Sequence, residues 1–189
     1  MINDQIECYI EDVHSSIGNI DKDSVQALAE DIFSIWSAGR HLFLCGNGGS
    51  AGNAIHLAND FLVGIASGDY VGMKVEALSA NPSVITCLAN DIGYEKIFSH
   101  QLRVKADADD LLLALSGSGN SENIISALKT GNDLKMKTYA LVGYDGGVAK
   151  ELAGRSIHFS INDMQICEDL QLVVGHLCMR LVKEMARID

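Results

Sequence analysis

Proline occurs once in this sequence, at Pro82, and tryptophan once, at Trp36. With a single proline there is no proline-rich linker, and little to interrupt long helices. Basic residues are also scarce: 14 Lys and Arg stand against 25 Asp and Glu, for a formal net charge of −11. Nucleic-acid backbones are held by clustered cations, so this balance excludes nucleic acid as a main partner. No stretch approaches the roughly 18 consecutive apolar residues of a membrane span. The N-terminal "MINDQIECYIEDVHSS" lacks the basic-then-apolar order of a signal peptide. The five cysteines (Cys8, Cys45, Cys87, Cys167 and Cys178) form no CxxC and are odd in number. They read as reduced thiols, and the expectation is a cytoplasmic protein with no membrane partner. Internal repeats and low-complexity segments are absent too.

What is present is ordinary globular composition, 48% hydrophobic and 21% charged over 189 residues, enough for one domain with a sizeable core. Residues 1–38 read as two amphipathic helices, with Ile6, Tyr9, Ile10 and Val13 on one stripe and Val25, Leu28, Ile32 and Ile35 on the next. Asp23 is placed to cap the second. From residue 39 to 189, short apolar runs alternate with helical patterns. "HLFLC" is a buried strand, followed by a helix from about Ser50 to Leu62, a looser stretch "GIASGDYVG" and a strand near "MKVEAL". Pro82 suits a helix start. A strand over Leu111–Leu115, a helix over Ser121–Thr130 and a strand over Thr138–Val142 form the clearest unit. A short helix near Val148–Leu152, a last strand in "SIHFSI" and a long helix over Met164–Ala186 complete the chain. This alternation predicts a three-layer α/β/α domain on a parallel sheet.

Two turns, "CGNGGS" and "SGSGNS", each follow a strand and open a helix. Ligands bind outside the carboxyl ends of such strands, where a helix N-terminus offers unpaired N–H groups and a positive dipole end. Ser116, Ser118 and Ser121 add hydroxyl donors, and Asn120 or Ser121 can cap the second helix. The pair reads as a seat for one phosphate; tight turns and caps alone are the plainer alternative. Neither turn has the lysine of a Walker A loop or the spacing of a dinucleotide fingerprint.

"CGNGGSAGNAIHLANDF", "CLANDIGYEKIFS", "LLLALSGSGNSENIISAL" and "ALVGYDGG" occur in the order seen in the sugar isomerase (SIS) domain. The chain resembles the phosphoheptose isomerase branch over nearly its whole length. The resemblance implies one SIS domain over 1–189, with a five-stranded parallel, flavodoxin-like sheet and additional helices at both ends. It also implies a homotetramer with active sites between subunits, residues 1–38 serving oligomerisation. Ile32, Ile35, Leu170, Val173, Val174 and Leu177, on apolar faces of the terminal helices, are the expected subunit contacts. The implied reaction is aldose–ketose isomerisation of sedoheptulose 7-phosphate to D-glycero-D-manno-heptose 7-phosphate, feeding surface-glycan synthesis. Carried over by motif, the substrate contacts fall on Asn47, Gly48, Ser50, Asp91, Ser116, Gly117, Ser118, Asn120 and Ser121.

The family carries His-x3-Glu on the helix after the first turn and Gln-x7-His on the last helix. Here these positions are His56, Asp60, Glu168 and His176. Residues four apart share a helix face, so His56 and Asp60 can address one ligand or metal. Asp60 is the expected base or a ligand, His56 a ligand or orienting group, and His176 the partner acid/base. The plainer reading of His176 is a core histidine held by a carbonyl. All four together imply a possible Zn²⁺ site. Four positions depart from the pattern: Asp60 replaces glutamate, Glu168 a glutamine, Gly64 an arginine and Gly117 a threonine. These departures leave a second expectation open, a non-catalytic phosphosugar-binding regulator resembling the replication-initiator-binding relatives of this branch.

Overall fold

The computed structural model describes residues 2–65 and 71–188. Two helices, α1 (Ile2–Gly18) and α2 (Lys22–Ser37), lead into β1 (His41–Gly46) and α3 (Gly48–Asn59), which widens into a π-helical turn over Asp60–Gly64. There follow β2 (Lys74–Ala77), α4 (Pro82–Asp91), a 3₁₀ turn (Tyr94–Lys96) and α5 (Ser99–Lys105). β3 (Leu111–Ser116), α6 (Glu122–Asp133), β4 (Lys137–Val142), α7 (Gly147–Leu152), β5 (Arg155–His158) and α8 (Met164–Ile188) complete it. Most of the "GIASGDYVG" stretch, residues 66–70, lies outside the described residues.

The five strands are all parallel, in the order β2-β1-β3-β4-β5. Side-chain alternation divides the core in two. Leu42, Leu44, Leu111, Leu113, Tyr139 and Leu141 face α2, α3 and α8, while Phe43, Cys45, Leu112, Ala114, Ala140 and Val142 face α5, α6 and α7. Both faces are covered, as the unbroken apolar strands require. Burial pushes the Cys45 thiol up to about 12, so it remains a neutral packing group.

Two expectations are corrected. The cap of α2 is Asp21, whose extended backbone lets Oδ1 accept from Asp23 N at 3.1 Å; Asp23 already lies inside the first turn. Ile32, Ile35, Leu170 and Val174, expected at subunit contacts, are buried within the chain, because α8 packs along α2 over the sheet. The exposed large apolar side chains of the terminal helices are Ile2, Ile6, Tyr9, Ile10 and Ile17 on α1 and Leu177 and Leu181 on α8, so Leu177 alone of the expected contact positions is exposed. α1 buries no residue of its own and is tied down partly by Tyr9, whose hydroxyl donates to Asp169 Oδ2 at 2.5 Å. That bond to a carboxylate pushes the Tyr9 phenol up to about 12.

The strand order places the site. Chain direction from β1 runs to β2 on one side and to β3 on the other, so the carboxyl ends of β1 and β3 adjoin at the topological switch point, with Gly46 opposite Leu115. Both glycine turns leave from there.

Candidate active site

A cavity of about 260 Å³ opens between the two turns, lined by Asn47–Ser50, Leu115–Ser118 and Ser121, with Met164 and Glu168 of α8 as its far wall. Two glycines let α8 come this close. A Cβ on Gly49 would meet Glu168 Oε2 at 2.1 Å, and one on Gly117 would meet Met164 Sδ at 2.3 Å.

The second turn is held by its own side chains. The buried Ser116 Oγ accepts from Gly119 N at 3.1 Å, and Ser118 Oγ accepts from Asn120 N at 3.3 Å. Asn120 donates to Ser118 O and accepts from Val148 N through Oδ1, so it braces the turn against α7 rather than capping α6. Ser121 occupies the N-cap without a side-chain cap bond, leaving its hydroxyl for a ligand at the positive end of α6.

The first turn is locked to α8 by Gln171, which the sequence reading missed. Its fully buried amide donates to Ser50 Oγ at 3.1 Å, and its Oε1 accepts from Asn53 Nδ2 at 3.0 Å. Asn53 also reaches the Glu168 carbonyl. The available signal was a glutamine on the apolar stripe of Cys167, Leu170, Val174 and Cys178.

At the other end of α3 three ligand-type atoms converge. His56 Nε2 lies 3.1 Å from His176 Nε2, and Asp60 Oδ2 lies 3.4 Å from the first and 3.3 Å from the second. A tetrahedral ion bound at about 2.0–2.1 Å separates its ligands by about 3.3 Å, so these side chains fit a divalent cation with little rearrangement. The donor set, two imidazoles and a carboxylate, suits a borderline metal and leaves a coordination position open. His176 is therefore no carbonyl-satisfied core histidine: it is half-exposed, and its Nε2 belongs to this cluster. Glu168 stands outside the cluster, turned onto Gly49 in the phosphate-sized cavity.

Asp91 is exposed at the end of α4, where it accepts from the Asn90 amide and the Cys87 thiol. The bond to Asp91 raises the Cys87 thiol above its ordinary value. Gly64 packs on Met179, whose Sδ would lie 3.2 Å from a Cβ placed there.

Comparison with known proteins agrees with this architecture. Residues 8–143 match the SIS domain. The phosphoheptose isomerase of Chlorobaculum parvum is 35% identical over 90% of this chain and 82% of its own. That of Akkermansia muciniphila is 39% identical over 77% of each chain. In structure, the phosphoheptose isomerase of Neisseria gonorrhoeae superposes with a TM-score of 0.89 at 24% identity, covering 97% of this chain and 100% of that one.

Proposed function

The chain belongs to the SIS-domain family and, within it, to the phosphoheptose isomerases, and from that membership we propose the interconversion of sedoheptulose 7-phosphate and D-glycero-D-manno-heptose 7-phosphate. The observation that carries this reading is the two-ended construction of α3. Its first turn opens a hydroxyl-rich cavity, and its last turn, with the π-helical turn that follows, sets His56 and Asp60 against His176. From Ser50 to His56 the helix rises about 9 Å, room for an extended sugar phosphate with its phosphoryl group at one end and its reacting carbons at the other.

The phosphoryl group would accept from Ser118 and Ser121 and from the free N–H groups of α6, anchoring the end remote from the chemistry. Such remote binding energy positions the reacting carbons. Isomerisation moves a proton between C1 and C2 through an enediol. Asp60 would take the carbon-bound proton and return it to the neighbouring carbon. The short aspartate lies against both imidazoles through Oδ2, while its Oδ1 accepts from Asn59 Nδ2 at 3.4 Å. With no ion bound, His176 would move a proton between the substrate's carbonyl and hydroxyl oxygens through Nε2. His56, Asp60 and His176 would hold Zn²⁺, which when bound polarises those oxygens.

The exposed isoleucines of α1 and leucines of α8 support a homotetramer, with residues 1–38 serving that assembly. No helix among the described residues is long and apolar enough to cross a membrane. The reading places the enzyme in the cytoplasm, on a route to surface glycans.

Incubation with sedoheptulose 7-phosphate and a panel of other ketose phosphates, with and without Zn²⁺, tests it by aldose formation. Tight binding without turnover of any of them would make the chain a phosphosugar-sensing regulator instead.

A further inference from the structure

Asn47 stands at the N-cap of α3 in an extended conformation, yet its side chain makes no cap bond. Its amide is directed across the site. Nδ2 donates to Asn123 Oδ1 at 2.8 Å, while Oδ1 accepts from Asn123 Nδ2 at 2.8 Å and from the Tyr94 hydroxyl at 3.0 Å. Both acceptor positions and one of the two N–H groups of Asn47 are thereby occupied. Asn123 is 2% exposed, in the first turn of α6, and Tyr94 lies in the short turn just beyond Asp91.

We propose that Asn123 is a positioning residue of the isomerase site: its reciprocal amide pair with Asn47 fixes the spacing between the turn that seats the phosphoryl group and the helix that carries the chemistry. Tyr94 draws the Asp91 segment to the same point. The three residues come from the segments after β1, α4 and β3, so one side-chain knot joins the three parts of the chain that the cavity requires.

A packing role alone does not account for the arrangement. An asparagine at an N-cap ordinarily bonds the N–H groups of its own helix; Asn47 forgoes this to reach α6. A doubly hydrogen-bonded amide pair also needs its two planes nearly aligned, so it specifies orientation as well as distance. It is shielded on the Asn123 side, where hydrogen bonds are electrostatically stronger. The catalytic consequence is steep, because a displacement of about 1 Å between anchor and reacting groups can cost about a hundredfold in rate.

The proposal rests on the isomerase reading for its reaction, and the test separates the two. Wild type, Asn123→Ala, Asn123→Asp and Tyr94→Phe are compared for turnover of sedoheptulose 7-phosphate, for affinity toward that sugar phosphate, and for affinity toward inorganic phosphate. Expected for Asn123→Ala is a loss of about tenfold to a hundredfold, falling on kcat more than on KM, with inorganic phosphate affinity unchanged because the serine turn itself is intact. Asn123→Asp, which still accepts from Asn47, should recover part of the loss. Tyr94→Phe should lose less, and its effect should not add to that of Asn123→Ala, since both act through Asn47. Wild-type turnover and KM in a folded Asn123→Ala protein would overturn the proposal, as would equal losses for inorganic phosphate and the sugar phosphate. If the wild type binds the sugar phosphate but turns nothing over, the isomerase reading fails. The clamp is then judged by affinity alone: a loss for the sugar phosphate but not for inorganic phosphate sustains it, and equal affinities in wild type and variant refute it.

Discussion

His56 and His176, 120 residues apart in sequence, bring their Nε2 atoms to 3.1 Å across the line where α3 meets α8. Asp60 Oδ2 completes the triangle at 3.4 and 3.3 Å. Three atoms with lone pairs facing one point are incompletely satisfied by one shared proton and fully satisfied by one divalent cation. Zinc should therefore co-purify, or bind on addition, near one equivalent per chain. His56→Ala should reduce the bound zinc strongly while leaving inorganic phosphate affinity at the serine turn unchanged. Metal analysis with a phosphate titration checks both; undiminished zinc in the variant would put the metal elsewhere.

Asp60→Asn preserves size and one hydrogen-bonding oxygen but removes the proton-accepting charge. Turnover should fall by about 10²–10⁴, the usual range for loss of a general base, with sugar phosphate affinity little changed. Full activity would show that α3 shapes the pocket without taking the proton.

Much of this arrangement was legible in the sequence because it rests on local rules. Apolar runs closed by glycine–serine turns announced β1 and β3 and the cavity beyond them, and the four-residue step announced that His56 and Asp60 share a face. Tertiary choices were less legible. Periodicity shows that Ile32, Ile35, Leu170 and Val174 lie on apolar stripes, but not that the stripes face one another rather than a second subunit. Glu168 and His176 are correctly spaced on one helix. Yet Gly49, having no Cβ, lets the Glu168 carboxylate lie down on the turn, away from the histidines. The Asn47–Asn123 pair spans 76 residues, and no local pattern links its members.

The serine turn makes its own prediction. Ser118→Ala with Ser121→Ala removes two hydroxyls from the cavity, and with them the Ser118–Asn120 bond, while the Ser116–Gly119 and Asn120–Val148 bonds still hold the turn. Each hydrogen bond lost to a charged phosphoryl oxygen is worth about 1.5–3 kcal/mol, so affinity for a sugar phosphate should drop at least tenfold. Calorimetric titration of the folded double variant measures it. Unaltered affinity would place the phosphoryl group at another turn.

Gly117, where the family has threonine, is coupled to Met164. Gly117 has no left-handed backbone angle, so only space opposes a side chain there, and the space is filled by the Met164 sulfur. Gly117→Thr alone should therefore destabilise by about 1–3 kcal/mol, as overpacking does. Adding Met164→Ala should restore most of that and open the cavity to the new hydroxyl. Thermal unfolding of the single and double variants decides; equal destabilisation in both would refute the coupling.

The last prediction concerns assembly. α1 buries none of its residues, and Ile2, Ile6 and Ile10 are 79%, 55% and 61% exposed. Leu177 and Leu181 are exposed on α8, the helix against which α1 packs. A subunit contact would cover exposed apolar side chains on two such helices, and closed symmetry is the usual way to do so. The same surface runs close to the chemistry, since Leu177 directly follows His176, whose side chain is 44% exposed in the single chain. Covering α8 would thus exclude water from the histidine–aspartate cluster, where a dry environment strengthens each electrostatic contact. Light scattering should give a mass near four times the 20.3 kDa of one chain. Ile6→Glu with Ile10→Glu should dissociate it and lower turnover in parallel, while the far-ultraviolet circular dichroism stays helical. A wild-type mass of 20.3 kDa at micromolar concentration would refute the assembly. A dissociated variant with full turnover would show instead that each chain completes its own site.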